Sequence, residues 1–394
     1  MKTKTNKSSK KTNSLNILYL LGLLLSVSTA LPSYIQSNFL KQFVDLKTVS
    51  IFFIVANLLS VAAILLFPSL IRRFSNYHVN RLIFIVYIAS LFGMTMANSP
   101  LTALVSIIFL SISTNLLWIG MDILVENFSA NSSTGKTRTL YFTFINLGWI
   151  LSPALTTFLI GKGTYTLSFF VSAILILPCL IIYLWQKNNF TDKVKKYKEE
   201  PLKQIVEKMH TNRNLRGIFW ISFLLQLFYN SAVIYVPLYL VQNLGMSWQV
   251  LGPIFSIMLI PFIVLEIPAG IIADKYLGEK EILFFGFIIL ITSLFLFYYI
   301  SVPTAWLWAL VLFFSRIGAA LVEAMKETYF FKIVDAKDVS CINVFRLATP
   351  FAYIFGSALT IIILLFWPLN YIFLILSIIM LSGLFFTALI KDTK

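Results

Sequence analysis

Apolar runs long enough to cross a bilayer core as helix, about 18 to 25 residues each, recur through the whole 394-residue sequence. Lipid supplies no hydrogen-bond partners, so a spanning segment has to close its backbone bonds internally, as a helix does. The chain is 59% hydrophobic and 12% charged, with a mean hydropathy of +0.86. That composition cannot coat a soluble protein of this size with polar surface. The expected fold class is an all-α integral membrane protein of about twelve transmembrane helices. The runs fall near 15–38, 47–67, 80–97, 101–124, 139–160, 164–186, 215–242, 249–272, 280–300, 304–329, 340–364 and 367–390. Asn98-Ser99-Pro100, Gly161-Lys162-Gly163 and Trp367-Pro368 carry turn chemistry between them.

The formal net charge is +15, which in a soluble domain would suggest nucleic acid. Here the basic residues sit in short loops, and no soluble stretch is long enough for a nucleic-acid module, so no such partner is expected. The loops alternate. One set carries Arg72, Arg73, Arg81, Lys136, Arg138, the segment 187–216, Lys275, Lys280, Lys332, Lys337, Lys391 and Lys394; the other carries little beyond Lys41, Lys47 and Lys162. Lys and Arg in short loops stay cytoplasmic, which places both termini and the middle loop inside a cell membrane. The basic segment 1–14 reads as a cytoplasmic tail. The run after it continues through Tyr34, Gln36 and Asn38 without a small-residue cleavage site, so it reads as an uncleaved first helix rather than a signal peptide. Cys179 and Cys341 form no Cys-x-x-Cys pair, and neither a disulfide framework nor a metal site is expected.

The long middle segment divides the runs six and six: one bundle over 15–186, a linker over 187–214, a second bundle over 215–390, and a short tail at 391–394. Within the linker, Leu202, Ile205, Val206 and Met209 form one apolar stripe, as in a helix lying on the membrane surface or a plain connecting helix. The halves echo one another. The fourth run of each ends in an acid pair four residues apart, Asp122 with Glu126 and Glu323 with Glu327. Two such units repeated in parallel suggest a transporter with its substrate near the midplane.

Between the eighth and ninth runs, Gly270-x-x-x-Asp274-Lys275 is followed by Gly278-x-Lys280. This resembles the loop motif of the major facilitator superfamily, Gly-x-x-x-Asp-Arg/Lys-x-Gly-Arg/Lys-Arg/Lys, with one extra residue before Gly278. The first-half copy, PSLIRRFSNYHVNR, keeps the basic residues and lacks the Gly and Asp. The resemblance implies two six-helix pseudo-repeated bundles, with the first, fourth, seventh and tenth helix lining a central cavity and the loop charges bracing the cytoplasmic side. The bracing network would comprise Gly270, Asp274, Lys275, Gly278, Lys280, Glu323, Glu327 and Arg346 in the second half, and Asp122, Glu126, Arg72, Arg73 and Arg138 in the first. Gly270 would allow close helix approach. Glu323 and Glu327 would pair with Arg346.

Arg316 stands about ten residues into its run, roughly 15 Å deep by helical rise. An ionisable residue there is a functional-site candidate; an ion pair with Glu323 is its structural alternative. The cavity-lining candidates are Arg316, Gln226, Tyr229, Asn230, Asn115, Trp118, Tyr34 and Gln36, each of which could instead be helix–helix glue. Glu323 and Glu266 are the proton-coupling candidates. The expected function is secondary transport of a small organic solute by alternating access, as a monomer, with proton-coupled export one form; a non-transporting receptor or scaffold on the same fold is the alternative. His78 and His210 lie in loops with no catalytic spacing, and no phosphate-binding Gly-rich loop exists, so neither an enzyme nor direct ATP drive is expected. No cofactor is implied.

Overall fold

The computed structural model describes residues 2–128, 134–162, 164–190, 204, 207, 210–334 and 339–391, with side chains over 14–128, 137, 140–161, 164–190, 204, 207, 210–273, 275–334 and 341–391. The apolar stripe of the linker therefore lies outside the described residues. Eleven described helices are long and apolar enough to cross a membrane. One of them, Leu46–Thr95, is 50 residues long, about 75 Å at 1.5 Å per residue, more than twice a hydrocarbon core of about 30 Å. Ser75 interrupts it with φ 65° and ψ 152°, leaving two spans, 46–74 and 76–95. The described residues thus hold twelve candidate spans.

Span 1 is Ser14–Ser33, spans 2 and 3 are 46–74 and 76–95, span 4 is Pro100–Phe128, span 5 is Leu140–Gly161 and span 6 is Tyr165–Trp185. The second half follows as span 7 (Arg213–Asn243), span 8 (Trp248–Ala273), span 9 (Glu279–Tyr299), span 10 (Ala305–Ile333), span 11 (Cys341–Phe366) and span 12 (Tyr371–Leu389).

The helices overrun several expected boundaries. The first begins at Lys2, so the basic segment expected as a tail is helical in its backbone. The stretch with Arg72 and Arg73, expected as a loop, is the last turn of span 2, and the break is the single residue Ser75. Span 1 ends at Ser33, just after Pro32, and a turn leads into the short helix Gln36–Leu40. Trp308 is fully buried and donates to the Val302 carbonyl at 2.9 Å, while Trp306, two residues earlier, is exposed.

Within the first half, span 1 packs on spans 5 and 6, and the 46–95 helix packs on span 4. In the second, span 9 packs on spans 10 and 12, and span 7 on spans 11 and 12. The halves meet where the 46–95 helix faces span 11 and where span 5 faces span 8. The end away from the basic loops is closely sealed across this seam. Ser37 donates to the Ile234 carbonyl at 2.9 Å, and Ser50 shares a 3.0 Å bond with the Tyr235 hydroxyl. Thr157 donates to the Trp248 carbonyl at 3.1 Å, and Trp248 donates to the Tyr165 hydroxyl at 2.9 Å. Span 7 is π-helical over Ser231–Tyr235 and Tyr239–Asn243 at this seal. Wide turns of this kind recur at functional sites.

Candidate functional site

A cavity of about 390 Å³ lies between the halves. Spans 1, 2, 4 and 5 and the short helix after span 1 form one wall; spans 7, 8, 10 and 11 form the other. Of the residues singled out from sequence, Tyr34, Gln36, Asn115, Trp118, Gln226, Tyr229 and Arg316 line it. Asn230 does not. The cavity face of span 7 centres on Gln226, Tyr229 and Val233, and Asn230 falls on its flank, buried over Gly356 of span 11. The i, i+4 spacing to Gln226 gave it a neighbouring direction, and packing against span 11 took it out of the wall.

Arg316 is 1% exposed. Its guanidinium carbon sits 5.2 Å from the Phe228 ring centroid, one nitrogen donates to Ser315 Oγ at 3.2 Å, and the Tyr34 hydroxyl interacts with it from the other half. No carboxylate among the described residues lies within ion-pair distance, so the alternative partnership with Glu323 is not formed. Glu323 instead accepts from the Tyr229 hydroxyl at 3.1 Å and pairs with Lys326 Nζ at 3.1 Å. Seven residues of helix put Arg316 and Glu323 about 10 Å apart along the axis, and Lys326 is the nearer cation. The third charged residue of the wall, Glu266, accepts from Asn146 Nδ2 of span 5 at 3.1 Å. Among the described residues, the three charged ones of the cavity wall belong to the second half; the first half contributes hydroxyls, amides and aromatic rings.

From Glu323 a chain of charges runs toward the basic end. Lys326, 1% exposed, also lies 3.7 Å from Glu327 Oε1. Arg346 donates both terminal nitrogens to Glu327, at 2.7 and 3.0 Å. The same guanidinium reaches Asp122 Oδ2 of span 4 at 3.3 Å. The expected pairing of Asp122 within its own half is thus corrected: its partner is Arg346, across the seam. Arg72 donates to Ser69 Oγ at 3.1 Å, Arg73 lies over Phe74 at 5.2 Å, and Glu126 is partly buried at the basic end. The Arg138 side chain lies outside the described residues.

The loop between spans 8 and 9 makes its contacts within the second half. Gly278 has φ 108° and ψ 166°, a conformation that glycine adopts readily and other residues do not. Beside it Glu279, 1% exposed, pairs with Lys332 of span 10. Lys280 Nζ donates to the Ala388 carbonyl of span 12 at 3.1 Å, while Lys275 is exposed. Gly270 is a further correction, because a Cβ there would meet nothing within 4 Å. It permits no close helix approach, since no described residue lies against that side of span 8. The Asp274 side chain lies outside the described residues.

Sequence reading missed Asn57, Asn146, Trp149 and Tyr353 in the cavity wall. Asn146 and Trp149, three apart in an apolar run, were the available signal. It also missed Lys326, a lone lysine set inside an acid pair.

Two six-span halves around a central cavity define a polytopic membrane carrier. A family model of the Major Facilitator Superfamily matches residues 16–337, and the chain belongs to that superfamily. It is a multi-pass membrane transporter of this family, whose members are generally not enzymes. No curated protein matches the sequence.

Proposed function

We propose that the chain moves a small organic solute by alternating access, holding it in the cavity with Arg316 as the anchor for an anionic group. The single observation that carries this reading is a buried guanidinium lining the cavity with no carboxylate against it among the described residues. A buried cation without a counter-charge is costly, and an anionic solute group relieves that cost at the position where the halves meet. The seals differ in kind, which suits alternation. The far end is closed by packed side chains and hydrogen bonds, the basic end by the Arg346–Asp122 charge contact. By the positive-inside rule the basic end faces the cytoplasm. One chain builds the whole cavity, consistent with a working monomer. Of the two proton-coupling candidates, Glu323 has its charge held by Lys326 at 3.1 Å. Glu266, whose partner is a neutral amide, is the carboxylate that can take a proton without breaking an ion pair.

The test is solute flux into proteoliposomes across a panel of organic anions, cations, zwitterions and neutral compounds. Flux of a solute class that falls to the empty-liposome level in Arg316→Gln is expected. Normal flux in that variant removes the anchor, and no flux for any class removes the transport reading.

A further inference from the structure

Resting on the reading of this cavity as a transport site, we infer that its solute is a small aromatic zwitterion, with its anionic group on Arg316 and its cationic group on Glu266. Three charged side chains line the cavity, and their local partners differ. Glu323 is matched by Lys326 at 3.1 Å. Arg316 has an aromatic face, a neighbouring serine hydroxyl and the Tyr34 phenol. Glu266 has the Asn146 amide. One guanidinium and one carboxylate are therefore left facing the same space with only neutral partners among the described residues, too far apart to pair with each other. Both act electrostatically on the Tyr229 hydroxyl, so they share its surroundings.

In a site of low dielectric each such charge favours a counter-charge. A solute with an anion alone leaves Glu266 unmatched; one with a cation alone leaves Arg316 unmatched. A zwitterion matches both. It also explains why the opposite wall is neutral: once the poles are satisfied by the second half, the first half needs only to cover the body of the solute. That cover is aromatic, with Trp118, Trp149 and Phe142 from spans 4 and 5. The volume, about 390 Å³, is near the lower end of small-molecule sites, which suits a single-ring or indole-sized body.

The inference is tested by binding to the purified full chain, using matched probes that differ only in charge. Tryptophan carries both poles, N-acetyltryptophan only the anion, and tryptamine only the cation; phenylalanine, N-acetylphenylalanine and phenethylamine repeat the set. On the unaltered protein each zwitterion is expected to bind at least about tenfold more tightly than either single-charge partner, a gap of about 1.4 kcal/mol. Glu266→Gln is expected to lower the zwitterion to the level of the N-acetyl compound while leaving that compound's binding intact, which also shows that the variant is folded. Arg316→Gln is expected to lower it to the level of the amine. Equal or tighter binding of a single-charge probe overturns the inference, as does failure of all six probes to bind. Either failure alongside Arg316-dependent flux of another solute class leaves the transport reading standing; failure alongside no flux of any class removes both.

Discussion

Arg346 of span 11 stands 3.3 Å from Asp122 of span 4, a charge contact that joins the two halves at the basic end. The same guanidinium holds Glu327 of its own half in a bidentate pair. Its two partners therefore predict different outcomes. Asp122→Asn leaves the Glu327 pair in place and loosens only the seam. In a background with Cys179 and Cys341 replaced, a cysteine at cavity residue 111 should label from the basic end about fivefold faster, the effect of about 1 kcal/mol. Unchanged labelling removes the contact from the gate. Arg346→Met leaves Asp122 without this cation and Glu327 with Lys326 at 3.7 Å in place of a bidentate pair, and the loss of thermal stability should approach the lower end of the ~3–5 kcal/mol range for broken buried pairs.

Lys326 links this charge contact to the cavity, because it serves Glu323 on one side and Glu327 on the other. Lys326→Met alone should lower the unfolding midpoint sharply, since two carboxylates lose a shared cation. Adding Glu323→Gln should recover part of the loss, with a coupling energy of about 0.5–3 kcal/mol as for residues in one charge network. Strict additivity of the two changes in a thermal-unfolding cycle would show that the chain of charges does not act as a unit.

Ser75 and Gly278 occupy corresponding positions just before spans 3 and 9, with φ 65° and 108° and ψ 152° and 166°. A residue with a Cβ pays about 1–3 kcal/mol for such a backbone. Ser75→Gly should raise the unfolding midpoint, less what is lost from its 2.9 Å bond to His78. Gly278→Ala should lower it. Equal small effects at both positions would mean the strain is absent.

At the far end, a Cβ on Gly252 of span 8 would fall 1.7 Å from Thr157 Oγ1 of span 5. Gly252→Val should therefore wedge the halves apart there. Thiol labelling of a cavity cysteine from the far side should speed up, with the protein still folded by gel filtration. A variant that folds and labels at the original rate would show that spans 5 and 8 do not form that seal.

Much of this architecture was legible because lipid leaves so few options: bilayer-length apolar runs gave the spans, and the long polar middle segment gave the division into halves. Cavity residues such as Arg316, Gln226 and Trp118 stood out because polar groups are rare in such runs. What was hidden is partnership. Helical spacing says which way Asn230 and Asp122 point, and not which helix is waiting there; span 11 decided both. Glu279 and Lys332 lie in different spans, so local pattern could not join them. Span 2 ran past its expected end because a single strained serine, rather than a polar loop, makes the turn.

If the halves rock about the cavity as proposed, one end opens as the other closes. Spin labels at Gln42 and Asn243 report the far end, and labels at Arg73 and Leu277 report the basic end. Pulsed distance measurements in nanodiscs, with and without a transported solute, are expected to show the two distances shifting in opposite directions. Both distances changing together, or neither changing while the solute is bound, would contradict the account.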